Sequence, residues 1–426
     1  MVLGRLVISI VACVVALIWM RHHKTVTTAS IVAYCGIRLG ILVVYIFALK
    51  GSLPGDLPGF MEQAQRALNG EIPNRDFSTP YSIPFVYLLA LPLLIWEHPF
   101  SYIVMFAIAE CFGILLIQKA LLKLTNDAAL VNKSMILYMC SPIVLQLLWL
   151  SGQDEALQVT LVGLLLYIYA SQKENTTTVL SFVGTAVTKI FSLWLIAPFL
   201  MTYKPSRWLL FLGLVACFCG VLVFFDIKLF STVFERPAGQ ESDHLETMVI
   251  VGNVWWLVQG VLGFVPAYLP EALVLVSFIA ILVFCFSKCE AGCSRNPHEA
   301  FWNVILPGLI LFPFAFNVFY KMTYVCYVAY AIPFISLFFL KYTSRAVLVV
   351  YLSWAVLSSI NWPFQVYFLR KPTFSSGGVV LVWIGEFLIV AVTIYLGMVF
   401  IRHYARQGYS LKAGFVNWKN RLLSFK

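Results

Sequence analysis

Residues able to act on a substrate gather in a few short polar stretches of an otherwise apolar chain. The first reads Gly55-Asp56-Leu57-Pro58-Gly59-Phe60, continues as an amphipathic run to Gly70, and ends in Ile72-Pro73-Asn74-Arg75-Asp76-Phe77 and Thr79-Pro80-Tyr81. Asp56 stands just beyond the apolar stretch 29–49, after Lys50-Gly51-Ser52-Leu53-Pro54-Gly55. Partial desolvation at such a boundary raises a carboxylate's basicity and suits it to general-base work; a turn or helix-cap aspartate would occupy the same position without chemistry. The second stretch, Ser151-Gly152-Gln153-Asp154-Glu155, is inserted between two apolar runs with almost no loop. Its consecutive acids could bind substrate or answer a helix dipole. The third is Thr188-Lys189-Ile190-Phe191, ahead of Pro198. An ammonium in that setting needs an anion or a route to water; phosphate is a natural partner, and snorkelling to the interface is the bland alternative. Lys321, followed by Thr323 and Tyr324, is a later cation that could meet the same phosphate or mark an interface. Arg236 and His244, in the polar interval 226–248, could bind acceptor or phosphate.

The elements that must position these residues are membrane helices. With 426 residues, 61% hydrophobic and 11% charged side chains, and a mean hydropathy of +0.89, the composition excludes a water-soluble enzyme. A spanning helix needs about 20 mostly apolar residues. Such stretches lie near 6–20, 29–49, 101–118, 134–150, 155–170, 207–225, 270–288, 300–318, 322–340, 346–362 and 378–401. The fold class is an all-α polytopic membrane protein with no room for a sizeable soluble domain. The +10 net charge, from 29 Lys and Arg against 19 Asp and Glu, reads as orientation by the positive-inside rule rather than as nucleic-acid binding. The ten cysteines lie mostly in apolar stretches, behave there as small hydrophobes, and give no disulfide framework.

Two apolar stretches fit no simple span. Residues 81–96, broken by Pro84 and Pro92 and ended by Pro99, are expected to form a hairpin or surface-lying element. Residues 176–203 are too long for one span and lie between Lys173 and the pair Lys204 and Arg207; two half-helices meeting near Lys189 are expected. The loops bearing Lys119, Lys123, Lys133, Lys341 and Arg345 and the basic tail then share the cytoplasmic side. Asp56, Asp76, Asp154, Glu155 and the 226–248 interval face outward. Arg38 and Glu110, charged residues within apolar stretches, could pair structurally or mark a transport path.

The order and common face of these pieces resemble the GT-C superfamily of polyprenyl-phosphate-sugar-dependent glycosyltransferases, most closely glycosyltransferase family 87 and the first mannosyltransferase of GPI assembly. The likeness rests on Asp56 after an early span and on the stretch from Gly70 to Tyr81, with Asp76 and a Tyr-x-x-Pro at Tyr81 and Pro84. It continues in the Gly-x-x-acid turn from Gly152 to Glu155, in Lys189-Ile190-Phe191 before Pro198, and in a basic-x-x-Tyr element at Lys321 and Tyr324 before Pro333. The resemblance implies a GT-C-like helical bundle of about 11–13 transmembrane helices, with juxtamembrane helices in its first outward loop. Its parts would be an extra amino-terminal helix and basic loop (1–28), a catalytic module (29–345), carboxy-terminal transmembrane helices (346–401) and a basic cytoplasmic tail (402–426).

The implied reaction moves mannose or another hexose, with inversion, from a polyprenyl-phosphate donor to a glycolipid, glycan or polysaccharide acceptor on the non-cytoplasmic face. Asp56 or Asp76 would be the catalytic base. Lys189 and Lys321 would hold the donor phosphate, and Tyr81, Gln153, Asp154, Glu155, Arg236, His244 and Tyr324 would bind substrate. Phe60, Phe77, Tyr81, Trp255 and Trp256 offer aromatic surfaces to sugars or to the membrane interface. Pro58, rather than a second acid, stands two residues after Asp56. No cofactor is therefore certain, and a divalent metal is an option in which Asp76 would take part. The implied partners are donor, acceptor and membrane lipid, at the outer face of a bacterial or archaeal cell membrane or in the ER lumen. The competing readings are an O-antigen-type polymerase or ligase and a lipid or solute transporter, the latter because it shares broken helices and intramembrane charge.

Overall fold

The structure is a computed structural model. It describes residues 2–22, 25–44, 57–79, 81–149, 154–171, 176–188, 192–225, 227, 254–262, 265, 268–288, 296–320, 325–369 and 376–423. In chain order the helices are α1 (Val2–His22), α2 (Thr28–Val43), α3 (Leu57–Leu68), α4 (Ile83–Ile95), α5 (Phe100–Thr125), α6 (Ala128–Met139), α7 (Glu155–Ala170), α8 (Thr176–Thr188), α9 (Ser192–Thr202), α10 (Pro205–Phe224), α11 (Val254–Leu262), α12 (Leu269–Phe286), α13 (Leu306–Phe319), α14 (Ile332–Tyr342), α15 (Arg345–Leu369), α16 (Ser376–Arg406) and α17 (Leu411–Leu423). Among the described residues there is no β-strand, and seven helical segments are long and apolar enough to cross a membrane. The chain is an all-α, multi-pass membrane protein. It divides into two compact units.

One unit comprises Met1–Thr27, Leu124–Trp149 and Glu246–Lys426. Its core is aromatic. The Phe338 ring lies 4.4 Å from that of Phe400 and 6.0 Å from that of Tyr404, and Trp354 Nε1 donates to Thr393 Oγ1 at 2.8 Å. The Tyr404 and Tyr409 hydroxyls donate to the carbonyls of Trp302 and Asn303 at 3.1 and 2.7 Å. Those carbonyls belong to a π-helical segment, Phe301–Ile305, leading into α13; a widened turn of this kind frees backbone acceptors for side chains. Residues 402–426, expected as a tail, are largely helical. α16 continues to Arg406, the chain turns through Gly408 at φ 85°, and α17 packs on α12. Gly414 permits the close approach, since a Cβ there would collide with the Val283 carbonyl. Asn417 Nδ2 donates to the carbonyls of Phe286 and Ser287 at 3.3 and 3.0 Å, satisfying acceptors that the end of α12 leaves open.

The other unit comprises Thr28–Lys123 and Leu150–Leu245. Buried Arg38 of α2 and Glu110 of α5 form an ion pair, and Tyr34 donates to Glu110 Oε1 at 3.1 Å. α5 and α7 cross at backbone distance: a Cβ on Gly163 would lie 2.5 Å from the Gly113 carbonyl oxygen, and Thr160 Oγ1 donates to Ala109 O at 2.5 Å. Small residues at a membrane helix crossing allow this. Residues 81–96, expected as a hairpin or surface element, contain one continuous helix, α4. Pro84 falls in its first turn, where the missing N–H has no helical partner to lose; Pro92 lies inside the helix and gives up one helical hydrogen bond, yet the helix continues to Ile95. At about 1.5 Å per residue α4 is roughly 20 Å long, short of a full span.

Candidate functional site

The described members of the expected site are Asp76, Tyr81, Asp154 and Glu155, and all belong to the second unit. Asp56, Gln153, Lys189, Arg236, His244, Lys321 and Tyr324 lie outside the described residues. Their flanking elements define the geometry.

α3 begins at the residue after Asp56. It buries Leu57, Phe60, Ala64 and Ala67, a helical repeat of three and four, and packs against α4. Phe60 meets Tyr81, Tyr102 and Phe106 edge-on at 5.8, 6.1 and 5.9 Å. Tyr81 also stacks on Phe85 at 4.8 Å, and Phe77 is buried beside Ala67 and Val86. These rings, expected to offer surfaces to sugars, hold the first loop onto its own helices. Trp255 departs from expectation in the same way: it lies buried in α11 and donates to Phe319 O at 2.5 Å.

After α3 the chain turns at Gly70, with φ 90°, and at Asn74, with φ 62°, a left-handed conformation that asparagine tolerates. Asn74 Nδ2 donates to Tyr81 O at 3.0 Å, and Thr79 Oγ1 donates to Gln63 Oε1 at 2.6 Å. The Asp76 carboxylate is turned into this loop. It accepts from Arg75 Nε and Nη2 at 2.9 and 3.0 Å and from the Ile72 N–H at 2.7 Å. The Arg75 hydrogen bond, then the backbone N–H, holds its carboxyl below the usual aspartate range. A carboxylate so engaged is a weak base. It is also a poor metal ligand, with a guanidinium already on both oxygens, and the described residues hold no group of three or more His, Cys, Asp or Glu that could bind a metal.

Asp154 and Glu155 are both buried. They occupy the N-cap and the first turn of α7, the position the helix-dipole alternative requires, although Asp154 makes no side-chain cap hydrogen bond. Gln158, one turn on, is buried too and extends the polar start of α7.

Residues 176–203 form two helices, as expected, and they fold back on each other. Phe182 of α8 lies 6.1 Å from Phe199 of α9 and 5.7 Å from Tyr203, and both of those rings also meet Tyr169 at the end of α7. α8 and α9 thus pack side by side. α7 packs on α8, whose carboxyl end is Thr188. The first loop arrives there as well: Ser82 Oγ donates to Thr188 O at 2.5 Å. Ser82, Asn74, Thr79 and Gln158 were not singled out by sequence reasoning. The Pro73-Asn74 turn signal and the adjacency of Thr188 to Lys189 were the available hints.

No protein-family model, curated protein or solved structure matches this chain.

Proposed function

We propose that this chain is a membrane glycosyltransferase of GT-C type that moves a hexose from a polyprenyl-phosphate donor to a lipid or glycan acceptor. The observation that carries the reading is the Ser82–Thr188 hydrogen bond, which ties the end of the first loop to the residue before Lys189. It joins the end of the first loop to the end of α8, within the unit that also holds the buried acids at the start of α7. The base is Asp56, because the Asp76 oxygens are occupied by Arg75 and the Ile72 N–H. Asp56 takes the acceptor hydroxyl proton as that oxygen attacks the anomeric carbon. The bond from that carbon to the phosphate oxygen breaks, and Lys189 stabilises the departing phosphate. Asp154, Glu155, Gln153 and Tyr81 line the acceptor side; Asp76 shapes the loop. Arg236 and His244 are secondary contacts to donor or acceptor.

The test is transfer by the purified, reconstituted protein from a panel of polyprenyl-phosphate sugars. Asp56→Asn is expected to lose about 10²- to 10⁴-fold in turnover while retaining donor binding. Lys189→Met is expected to weaken donor binding with the fold intact, and Asp76→Asn to keep most turnover. Absence of transfer from every donor by the wild type, or wild-type turnover in Asp56→Asn, would overturn the reading.

A further inference from the structure

α17 carries an apolar stripe that is exposed among the described residues of its unit. Leu411, Phe415 and Trp418, spaced four and three apart, fall on one side of the helix and are 48, 53 and 39% exposed. The Phe415 and Trp418 rings lie 6.2 Å apart, forming one patch. The side that does pack is a different one: Gly414 meets the Val283 carbonyl, and Asn417 reaches Phe286 and Ser287. Lys412 and Lys419, seven residues apart and exposed, flank the stripe on the side away from α12.

The place of α17 in the fold says what covers the stripe. α12 is an apolar span that leaves Leu275, Val276 and Ile279 exposed along its length, a surface suited to lipid tails. α17 touches the last turn of that span through Gly414 and Asn417, and the end of a span is where acyl chains give way to headgroups. Charge chooses the headgroup. Residues 402–426 carry Arg402, Arg406, Lys412, Lys419, Arg421 and Lys426 and no Asp or Glu. An apolar stripe with Phe and Trp, edged by lysine and set at a span's end, is the pattern of a helix lying in the membrane interface.

We propose that α17 is an interfacial helix that inserts Leu411, Phe415 and Trp418 into the leaflet at the carboxyl end of α12 and binds its anionic lipid headgroups through Lys412 and Lys419. This rests on α17 and α12 alone and is independent of the glycosyltransferase reading.

Hydrogen exchange of the full-length protein in nanodiscs tests it. Protection of amides 411–423 is expected to be higher in discs containing phosphatidylglycerol than in pure phosphatidylcholine, and high salt removes the difference. Two lysines at an anionic surface are worth roughly 30-fold in binding. The K412Q/K419Q double variant should therefore lose the phosphatidylglycerol-dependent protection while exchange elsewhere is unchanged. F415S/W418S should lower protection in both lipids. Equal wild-type protection in the two lipids, a difference that survives K412Q/K419Q, or unchanged protection in F415S/W418S would overturn the proposal.

Discussion

Tyr404 and Tyr409 in one unit, and Arg38 and Glu110 in the other, join helices through buried polar groups, but with different risks. The tyrosines donate to backbone carbonyls at a π-helical segment. Neither group is charged, and loss of one hydroxyl leaves one carbonyl short of a donor. The arginine and glutamate are a charge pair at apolar depth, and losing either leaves the other as an uncompensated ion. The Arg38–Glu110, Arg66–Glu71 and Arg75–Asp76 pairs all lie in the second unit and only the first of them is buried, while the first unit also buries a charged side chain, Glu386. The second unit also holds the described residues of the candidate site. Charge retained near an apolar environment makes stability depend on pairing, and the same setting makes a carboxylate or ammonium chemically responsive.

Three measurements sharpen or break this comparison. Glu110→Ala should have the largest effect. Stranding Arg38 is expected to cost about 3–5 kcal/mol, read as the shift of denaturant unfolding in detergent. The Arg38→Met, Glu110→Leu double variant should recover much of that loss, because removing both charges removes the desolvation penalty. Tyr404→Phe, the counterpart in the aromatic unit, should cost only about 1 kcal/mol, the usual net worth of a neutral hydrogen bond. Equal losses in Glu110→Ala and Tyr404→Phe would erase the distinction between the units.

The smallest effect concerns pH. The folded Asp76 carboxyl sits below the usual aspartate range, chiefly through Arg75 and then the Ile72 N–H. Its contribution to loop order is therefore fully present above the unfolded aspartate value and is lost as pH falls through the lower folded value. Limited proteolysis between residues 70 and 82 should accelerate only in that acidic window, and Asp76→Asn should flatten the dependence. Acceleration beginning near neutrality would mean that another group controls the loop.

Much of the helix pattern was legible because lipid enforces it. Spans expected at 101–118, 155–170, 207–225 and 270–288 are helices at Phe100–Thr125, Glu155–Ala170, Pro205–Phe224 and Leu269–Phe286. Backbone groups in hydrocarbon must pair within their own segment, so apolar length alone gives helix. The break near Lys189 was readable for the related reason that a long apolar stretch between two basic flanks must return to its own side. Less was legible where proline or composition was the only signal. Pro84 and Pro92 suggested a broken segment, yet Pro84 sits in the first turn and the helix runs through Pro92 to Ile95. The basic composition of 402–426 suggested a tail, whereas Gly414 and Asn417 dock a helix.

The sequence by itself determined that this is a polytopic helical protein, where its polar stretches lie, and which residue types those stretches offer. These follow from local composition and from the solvent the chain must live in. Only the tertiary structure decided that Arg38 meets Glu110, that Asp154 and Glu155 are buried, that Asp76 is spent on Arg75, and that Ser82 reaches Thr188. Burial and long-range pairing are properties of helix packing, set where Gly113 and Gly163 let two backbones touch. No periodicity within a single helix encodes which other helix will fill its face.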